Sequence, residues 1–270
     1  MRVRGGGRYS SVLQHITPLI LTLNEAPNIK HALDKLRWAK NIILVDSYSD
    51  DETLTIASRF PNVRIFQRKF DSHAVQWNYG LKETGITTEW VLALDADYIL
   101  TDELLKELEN LDPVPSTAAF RAHFVYCVFG KKLRGTVYPP VTVLYRRDKA
   151  SYLQDGHTQR VVIDGHIADL STRMLHDDRK PLTRWLISQD RYMRLEAEKL
   201  SRSKWWELCW ADRARRMVFI SPFLIFFYCL IVKGAILDGR AGLYYALQRM
   251  TAECILSLRL LYHGLMSKKF

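Results

Sequence analysis

The chain has 270 residues, is 48% hydrophobic and 25% charged, and carries a formal net charge of +10. That much apolar content can bury a core, which excludes a disordered chain, and the length allows one large domain or an ordinary domain with an appendage. The basic balance points to polyanionic partners, whether nucleic acid, anionic lipid or phosphorylated substrates, or simply to a solvated basic surface.

Cys127, Cys209, Cys229 and Cys254 are widely spaced and form no CxxC pair. Free thiols in apolar neighbourhoods behave as small hydrophobes, so a reducing compartment without structural zinc is expected. The opening "MRVRGGGRYSSVLQH" lacks the apolar centre of a signal peptide, so the body of the chain is expected in the cytoplasm. Residues 1–15, with Gly5 to Gly7, read as a flexible tail.

In chain order, "TPLILTL" (17–23) reads as a buried strand and "APNIKHALDKLRWA" (26–39) as an amphipathic helix with Ile29, Leu33 and Leu36 on one face. "NIILVD" (41–46) is a second strand, after which Ser49 and Glu52 form a capping box opening the helix "DETLTIASRF". A strand at 62–67, a helix at 72–84 and a strand at 90–94 follow. Strands separated by helices of this length imply crossover connections and a parallel sheet covered on both faces. A helix at about 101–111 leads to strands at 118–129, 133–138 and 141–147 joined by short turns, with shorter candidates at 160–163 and 172–175. The second half of the sheet is therefore mixed or antiparallel.

Ligands of such sheets bind outside the carboxyl ends of the strands. Those ends carry Thr22, Asn24 and Glu25, then Asp46, then Arg68 and Lys69, then Asp95 and Asp97. The last pair closes "WVLALDADYIL" (90–100), an apolar run that ends in two acids one residue apart. Like charges that close repel, and burying either is costly without something positive between them. A divalent cation bound to a diphosphate meets that need: oxygen ligands suit Mg²⁺ or Mn²⁺, and the ion neutralises charge on a departing diphosphate. On its own an Asp-x-Asp pair is commonplace; its place after the fourth strand, with Asp46 on a neighbouring strand end, makes it informative.

"LILTLNEAPNIKHALDKL", "NIILVDSYSDDETLTIA" and "VLALDADYIL" together resemble the nucleotide-binding half of family-two glycosyltransferases, the inverting GT-A fold. Within that family the T-x-N-E opening, the D-S-x-S-D-x-T loop and L-D-A-D look most like the bacterial lipopolysaccharide-core glucosyltransferase subgroup. The likeness covers roughly residues 16–200 and is specific for fold and donor class, not for the sugar. It implies an α/β protein with a Rossmann-like mixed sheet, a GT-A catalytic domain at 16–180 and a helical, membrane-associating region at 181–270.

The resemblance further implies that Thr22, Asn24 and Glu25 line a nucleotide pocket, that Asp46 accepts from the uracil or ribose side, and that Arg68 or Lys69 approaches base or phosphates. Asp95 would hold ribose or metal and Asp97 would ligate the metal directly. Thr22 and Asn24 could instead cap the first helix, Arg68 and Lys69 could be solvated, and Asn78 in "QWNYG" could serve helix packing rather than the nucleotide. Tyr98 stands where the family often has an acid. His176 in "MLHDDRKP" (174–181) matches a late third metal ligand by position, which would tilt the site towards Mn²⁺, and Arg179 is placed to meet the diphosphate or to pair with Asp177 or Asp178.

An inverting transfer needs a base for the acceptor hydroxyl. Where the subgroup has His-Glu this chain has "YLQDGHTQR" (152–160), with Asp155 and His157 as candidates and Asp155 favoured as a carboxylate. Gln189, Arg191 and Tyr192 could touch acceptor or phosphate, or form a charged solvent face.

Between Asp178 and Arg216 there are eleven Lys/Arg against six Asp/Glu, followed by sixteen uncharged residues at 217–232. A full span needs about 20 apolar residues, so the run reads as an interfacial or re-entrant device, a short span, or a buried helix, with flanking arginines drawn to anionic lipid. The expected partners are a nucleotide-diphosphate sugar, a lipid-linked glycan acceptor and an anionic membrane surface at the cytoplasmic face. Polyprenyl phosphate is the alternative acceptor. Nucleic acid is not expected, because no groove-reading helix or RNA-type aromatic motif is visible.

Overall fold

The computed structural model describes residues 12–155 and 158–266. The strands are β1 (Ile16–Thr22), β2 (Ile42–Asp46), β3 (Val63–Gln67), β4 (Trp90–Asp95), β5 (Tyr98–Ile99), β6 (Thr117–Ala122), β7 (Phe124–Val128), β8 (Lys131–Lys132), β9 (Val141–Arg146), β10 (Ala150–Asp155), β11 (Thr158–Ile163), β12 (His166–Asp169) and β13 (Met174–His176). The helices are α1 (Ile29–Asp34), α2 (Thr53–Ala57), α3 (His73–Glu83), α4 (Asp102–Glu109), α5 (Leu182–Arg202), α6 (Trp210–Arg215), α7 (Ser221–Phe227) and α8 (Arg240–Met266). Two compact units result: 12–123, 140–152 and 161–174 form the first, and 124–139, 153–155, 158–160 and 175–266 the second.

The first unit is built on a seven-stranded sheet in the order β12-β6-β9-β4-β1-β2-β3. β1 pairs in parallel with β2 and β4, and β2 with β3, whereas β9 runs antiparallel to β4 and β6. The mixed second half is thus present, although β12 lies parallel to β6. β1, β2 and β4 are buried on both faces, as their unbroken apolar runs require. Pro18 cannot donate to a ladder, and it precedes the pairing with β2, which begins at Leu19↔Ile43. One face packs Leu19, Ile43, Val45, Val91 and Ala93 against Ala74, Trp77 and Leu81 of α3. Gly80 makes that approach possible, since a Cβ there would lie 2.7 Å from Leu19 Cδ1. In α1, Ile29 and Leu33 are fully buried.

Four sequence expectations need correction. Helix α1 is shorter than 26–39: after Asp34 the chain tightens into i→i+3 turns (Lys35 N to Ala32 O, 3.1 Å; Leu36 N to Leu33 O, 3.0 Å) that still bury Leu36. The stretch 118–129 is two strands that break at His123, and 12–15 of the expected tail form a 3₁₀ turn. Residues 133–138 are not a strand. Tyr245 takes their backbone instead, its hydroxyl accepting from Val137 N at 3.0 Å, while Thr136 Oγ1 accepts from Tyr138 N at 2.9 Å.

The second unit gathers Tyr126, Val128, Leu133, Cys229, Tyr245 and Ala246 into one core cluster, and Met193, Ala197, Leu200, Leu208, Ala252 and Leu256 into another between α5 and α8. Gly242 lets α8 press on the turn at Ala235, whose carbonyl a Cβ would strike. Cys209 is exposed, whereas Cys127 and Cys229 are buried and burial pushes the Cys127 thiol up to about 11. Because only the thiolate reacts, a native protein at neutral pH is expected to alkylate at Cys209 first, with Cys127 and Cys229 silent until denaturation. Peptide mapping after brief iodoacetamide treatment checks this; rapid labelling of Cys127 would contradict it.

Candidate active site

The strand order reverses around β1, with β2 and β3 on one side and β4 on the other. That is the topological switch point at which open α/β sheets leave a crevice beyond their carboxyl ends. Register aligns the residues there: Thr22 lies opposite Asp46, Leu21 opposite Asp95, and Asp46 opposite Gln67. Asp46 and Asp95 are separated by one strand, hence by about 10 Å of backbone.

Asp46 is fully buried and organises the edge. Its Oδ1 accepts from Thr22 Oγ1 at 2.9 Å and Ser49 Oγ at 2.5 Å, and its Oδ2 accepts from Ser49 N at 2.8 Å. Three donors replace the water a buried carboxylate loses. Ser49 is therefore no helix cap: the residue flanking α2 is Glu52, with no side-chain capping bond, and the expected Ser49–Glu52 box does not form. The pull of the buried acid overrides the local capping pattern.

The β1–α1 and β2–α2 loops are laced together by further bonds. Asn24 N donates to Ser49 Oγ at 2.8 Å, Asn24 Oδ1 accepts from Asp50 N at 2.8 Å, and Glu25 N donates to Thr53 Oγ1 at 2.7 Å. Glu25 Oε2 also accepts from Asn28 Nδ2 at 2.8 Å. Asn24 and the exposed Tyr48 have positive φ, 56° and 62°. For a bulky residue such as Tyr48 that conformation is costly, and it marks a loop held by its surroundings. Next along the edge, Arg68 donates to Gln76 Oε1 at 2.8 Å and pairs with Asp71 at 2.6 Å, while Gln76 Nε2 reaches Ser47 Oγ at 3.0 Å. Lys69 is exposed beside it.

Thr22, Asn24, Glu25 and Asp46 thus form one network, with Arg68 attached through Gln76 and Ser47. Asp95 and Asp97 are both half-buried at the end of β4. Asn78 is committed elsewhere. Its Nδ2 donates to Tyr152 O at 2.9 Å and its Oδ1 accepts from Tyr152 N at 3.0 Å, which fastens α3 to β10. Both halves of the carboxamide bond to backbone, the packing arrangement that the sequence left open beside a nucleotide role. Tyr152 in turn stacks on Trp77 at 5.3 Å and shares a hydroxyl contact of 2.9 Å with Tyr145. Burial, Tyr145 and the charge of Asp95 raise the Tyr152 hydroxyl well above its ordinary pKa.

In the second unit, His176 is buried, stacked on Tyr138 at 4.5 Å and edge-on to Tyr126 at 4.7 Å. Arg179 pairs with Asp177 at 2.7 Å, and Lys180 with Asp178 at 3.2 Å. Among the described residues no group of three or more His, Cys, Asp or Glu is placed to hold a metal ion. Aromatic rings seat the imidazole of His176. Two carboxylates such as Asp95 and Asp97 remain a fitting partial shell for a hard dication whose other ligands come from diphosphate and water. Of the two base candidates, the Asp155 side chain and the whole of His157 lie outside the described residues.

Residues 19–149 match the model of the glycosyl transferase family 2. This stretch is a family 2 glycosyl transferase domain. It contains the whole edge from Thr22 to Asp97. Curated relatives include an uncharacterized glycosyltransferase of Rickettsia bellii, 33% identical over 97 residues that make up 36% of this chain and 32% of that protein. Another, from Rickettsia felis, is 30% identical over 100 residues, 37% of this chain and 34% of that protein. The aligned stretches thus span about a third of the length of these relatives.

Among solved structures, S. aureus TarS 1–349 in complex with UDP-GlcNAc is 16% identical with a TM-score of 0.43, covering 94% of this chain and 92% of that one. Glucosyl-3-phosphoglycerate synthase from Mycobacterium tuberculosis, with Mn²⁺, UDP and glucosyl-3-phosphoglycerate, is 15% identical with a TM-score of 0.45, covering 75% and 86%. At such values the likeness is distant. Ser47, Ser49 and Gln76 are the edge residues that sequence reasoning did not assign to the site; the three-residue offset from Asp46 to Ser49 was the available signal.

Proposed function

We propose that this protein is a metal-dependent, inverting glycosyltransferase that uses a nucleoside-diphosphate sugar, specifically a UDP-sugar such as UDP-glucose. Its acceptor is a hydroxyl of a lipid-anchored glycan, of the lipopolysaccharide-core or polysaccharide-precursor kind. It works at the cytoplasmic face of the membrane as a peripheral or monotopic protein. The observation that carries this reading is the convergence of Thr22, Asp46, Asp95 and Asp97 on one strand-end edge of a family 2 domain.

The Asp46 network holds the two loops that flank the nucleoside, and its fixed geometry means little reorganisation on binding. Asp95 and Asp97 are the residues that would hold Mn²⁺ or Mg²⁺, and the ion, when bound, supplies positive charge against the departing diphosphate. The acceptor oxygen attacks the anomeric carbon opposite the diphosphate, the carbon–oxygen bond to the diphosphate breaks, and the hydroxyl proton passes to Asp155 or His157.

A screen of nucleotide sugars for slow hydrolysis with Mn²⁺ present tests the donor without the acceptor. One UDP-sugar is expected to stand out, and no turnover or binding with any of them would overturn the reading. With the acceptor in hand, Asp155→Asn is expected to keep donor affinity and lose turnover. Turnover that survives removal of Asp155 and His157 together would move the acceptor to polyprenyl phosphate, whose oxygen needs no base.

A further inference from the structure

We propose that the outer face of the segment from Phe219 to Leu237 is a docking surface for an anionic lipid bilayer, on which the protein lies without crossing. This extends the lipid-anchored acceptor reading by naming the surface that would bring the chain to it, and it stands on different observations.

The segment runs through a turn at 217–220, α7, a π-helical turn at Tyr228–Val232 and a 3₁₀ turn at Ala235–Asp238. Phe219, Phe223, Phe227 and Ile231 recur every fourth residue, and each is more than half exposed. Ile220, Leu224 and Tyr228 form a second exposed row beside them. Residues four apart on a helix share a face, so the two rows make one apolar strip.

The opposite face is already used. Cys229 and Ala235 are fully buried, and Cys229 belongs to the cluster with Tyr126, Leu133 and Tyr245. The segment therefore cannot turn its outer rows inward without exposing what it buries. A contiguous exposed apolar strip rimmed by polar residues marks an interaction surface.

The residues that flank it in sequence identify the occupant. Trp206 and Trp210 are the most exposed tryptophans, and Trp205 is almost half exposed. Lys204 lies 5.5 Å over Trp206, Arg213 5.9 Å over Trp205, and Lys233 5.5 Å over Tyr228. Tryptophan and tyrosine settle at headgroup depth, where lysine and arginine meet lipid phosphates. From Lys204 to Arg240 there are six basic residues against three acidic ones, which favours an anionic leaflet. A second copy of the chain fits less well, because a two-fold interface would oppose this basic flank to itself.

Insertion across the bilayer is opposed by the way the segment is tied. Arg215 pairs with Glu253 at 2.9 Å and Glu196 at 3.1 Å, and Ser221 Oγ donates to Glu253 at 2.8 Å. Among the described residues no helix is long and apolar enough to cross a membrane.

The test sediments the full chain with vesicles of phosphatidylcholine alone or mixed equally with phosphatidylglycerol. The wild type is expected to pellet with the mixed vesicles, and the Phe219→Ser/Phe223→Ser/Phe227→Ser variant to bind at least about tenfold more weakly. Those positions are exposed, so circular dichroism should be unchanged; should the variant misfold, quenching of wild-type tryptophan fluorescence by brominated lipid replaces it and is expected to be strong. Wild type left in the supernatant, equal pelleting of the variant, or absent quenching would overturn the proposal. So would a vesicle-free dimer that the variant abolishes. Asp97→Asn is expected to pellet like wild type, so loss of transfer and loss of docking are read separately.

Discussion

Replacing Asp97 by asparagine is expected to abolish sugar transfer, by about a thousandfold or more, while the protein stays folded. Asparagine keeps the shape of the side chain, and Asp97 is only half-buried at the end of β4, so packing there is little disturbed. What changes is the charge available to a dication. An ion that offsets charge on a departing diphosphate is worth several kcal/mol, and about 4 kcal/mol corresponds to about a thousandfold in rate. Initial rates with saturating Mn²⁺, set beside an unchanged melting curve, check the expectation. A second readout is UDP affinity, which in the variant should lose its dependence on Mn²⁺. Full transfer in the variant, or full wild-type transfer in excess chelator, would count against metal dependence.

Asp46→Ala is expected to damage the fold itself. The substitution removes the acceptor of three hydrogen bonds from a fully buried position and leaves Thr22 Oγ1, Ser49 N and Ser49 Oγ facing a gap. Unsatisfied buried donors cost about 1–3 kcal/mol each before relaxation, so a loss on the order of 3 kcal/mol is a conservative expectation. For a domain of this size that is roughly a 10 °C fall in Tm. Asp46→Asn should fall in between, because its amide keeps one acceptor but turns a donor towards donors. Ser49→Ala, which deletes one of the three bonds and also the acceptor of Asn24 N, should cost about 1–2 kcal/mol. Calorimetric melting of the three variants orders them, and an Asp46→Ala variant as stable as wild type would mean that the network does not hold the edge together.

The parallel half of the sheet was legible in the sequence for a simple reason. β1, β2 and β4 are unbroken apolar runs that each end at a polar residue, so chain order alone collects Thr22, Asp46 and Asp95 on one edge. What escaped were bonds between segments distant in sequence. Ser49 satisfies the local pattern of a helix cap, and nothing in that pattern reveals that a buried Asp46 claims it first. Residues 133–138 alternate like a strand, yet the hydroxyl of Tyr245, more than a hundred residues away, occupies the backbone a neighbouring strand would need. Asn78 lies in a helix whose sequence is compatible with either role; its two bonds to Tyr152 span 74 residues and no local pattern predicts them.

The division of the apolar tail follows the same logic. Sixteen uncharged residues in a row are compatible with burial, with a short span or with an interface. The structure gives one face of the run to a core around Cys229 and leaves the other outward, and this distinction depends on where α8 and β7 pack.

The most direct measurement is a crystal structure of the protein soaked with UDP and Mn²⁺. Anomalous manganese density is expected beside Asp97, with the diphosphate against it and the uridine lying along the edge towards Asp46. An edge empty of both, with Asp95 and Asp97 turned to bulk water at saturating nucleotide, would contradict the claim that these acids exist to hold a dication and its diphosphate.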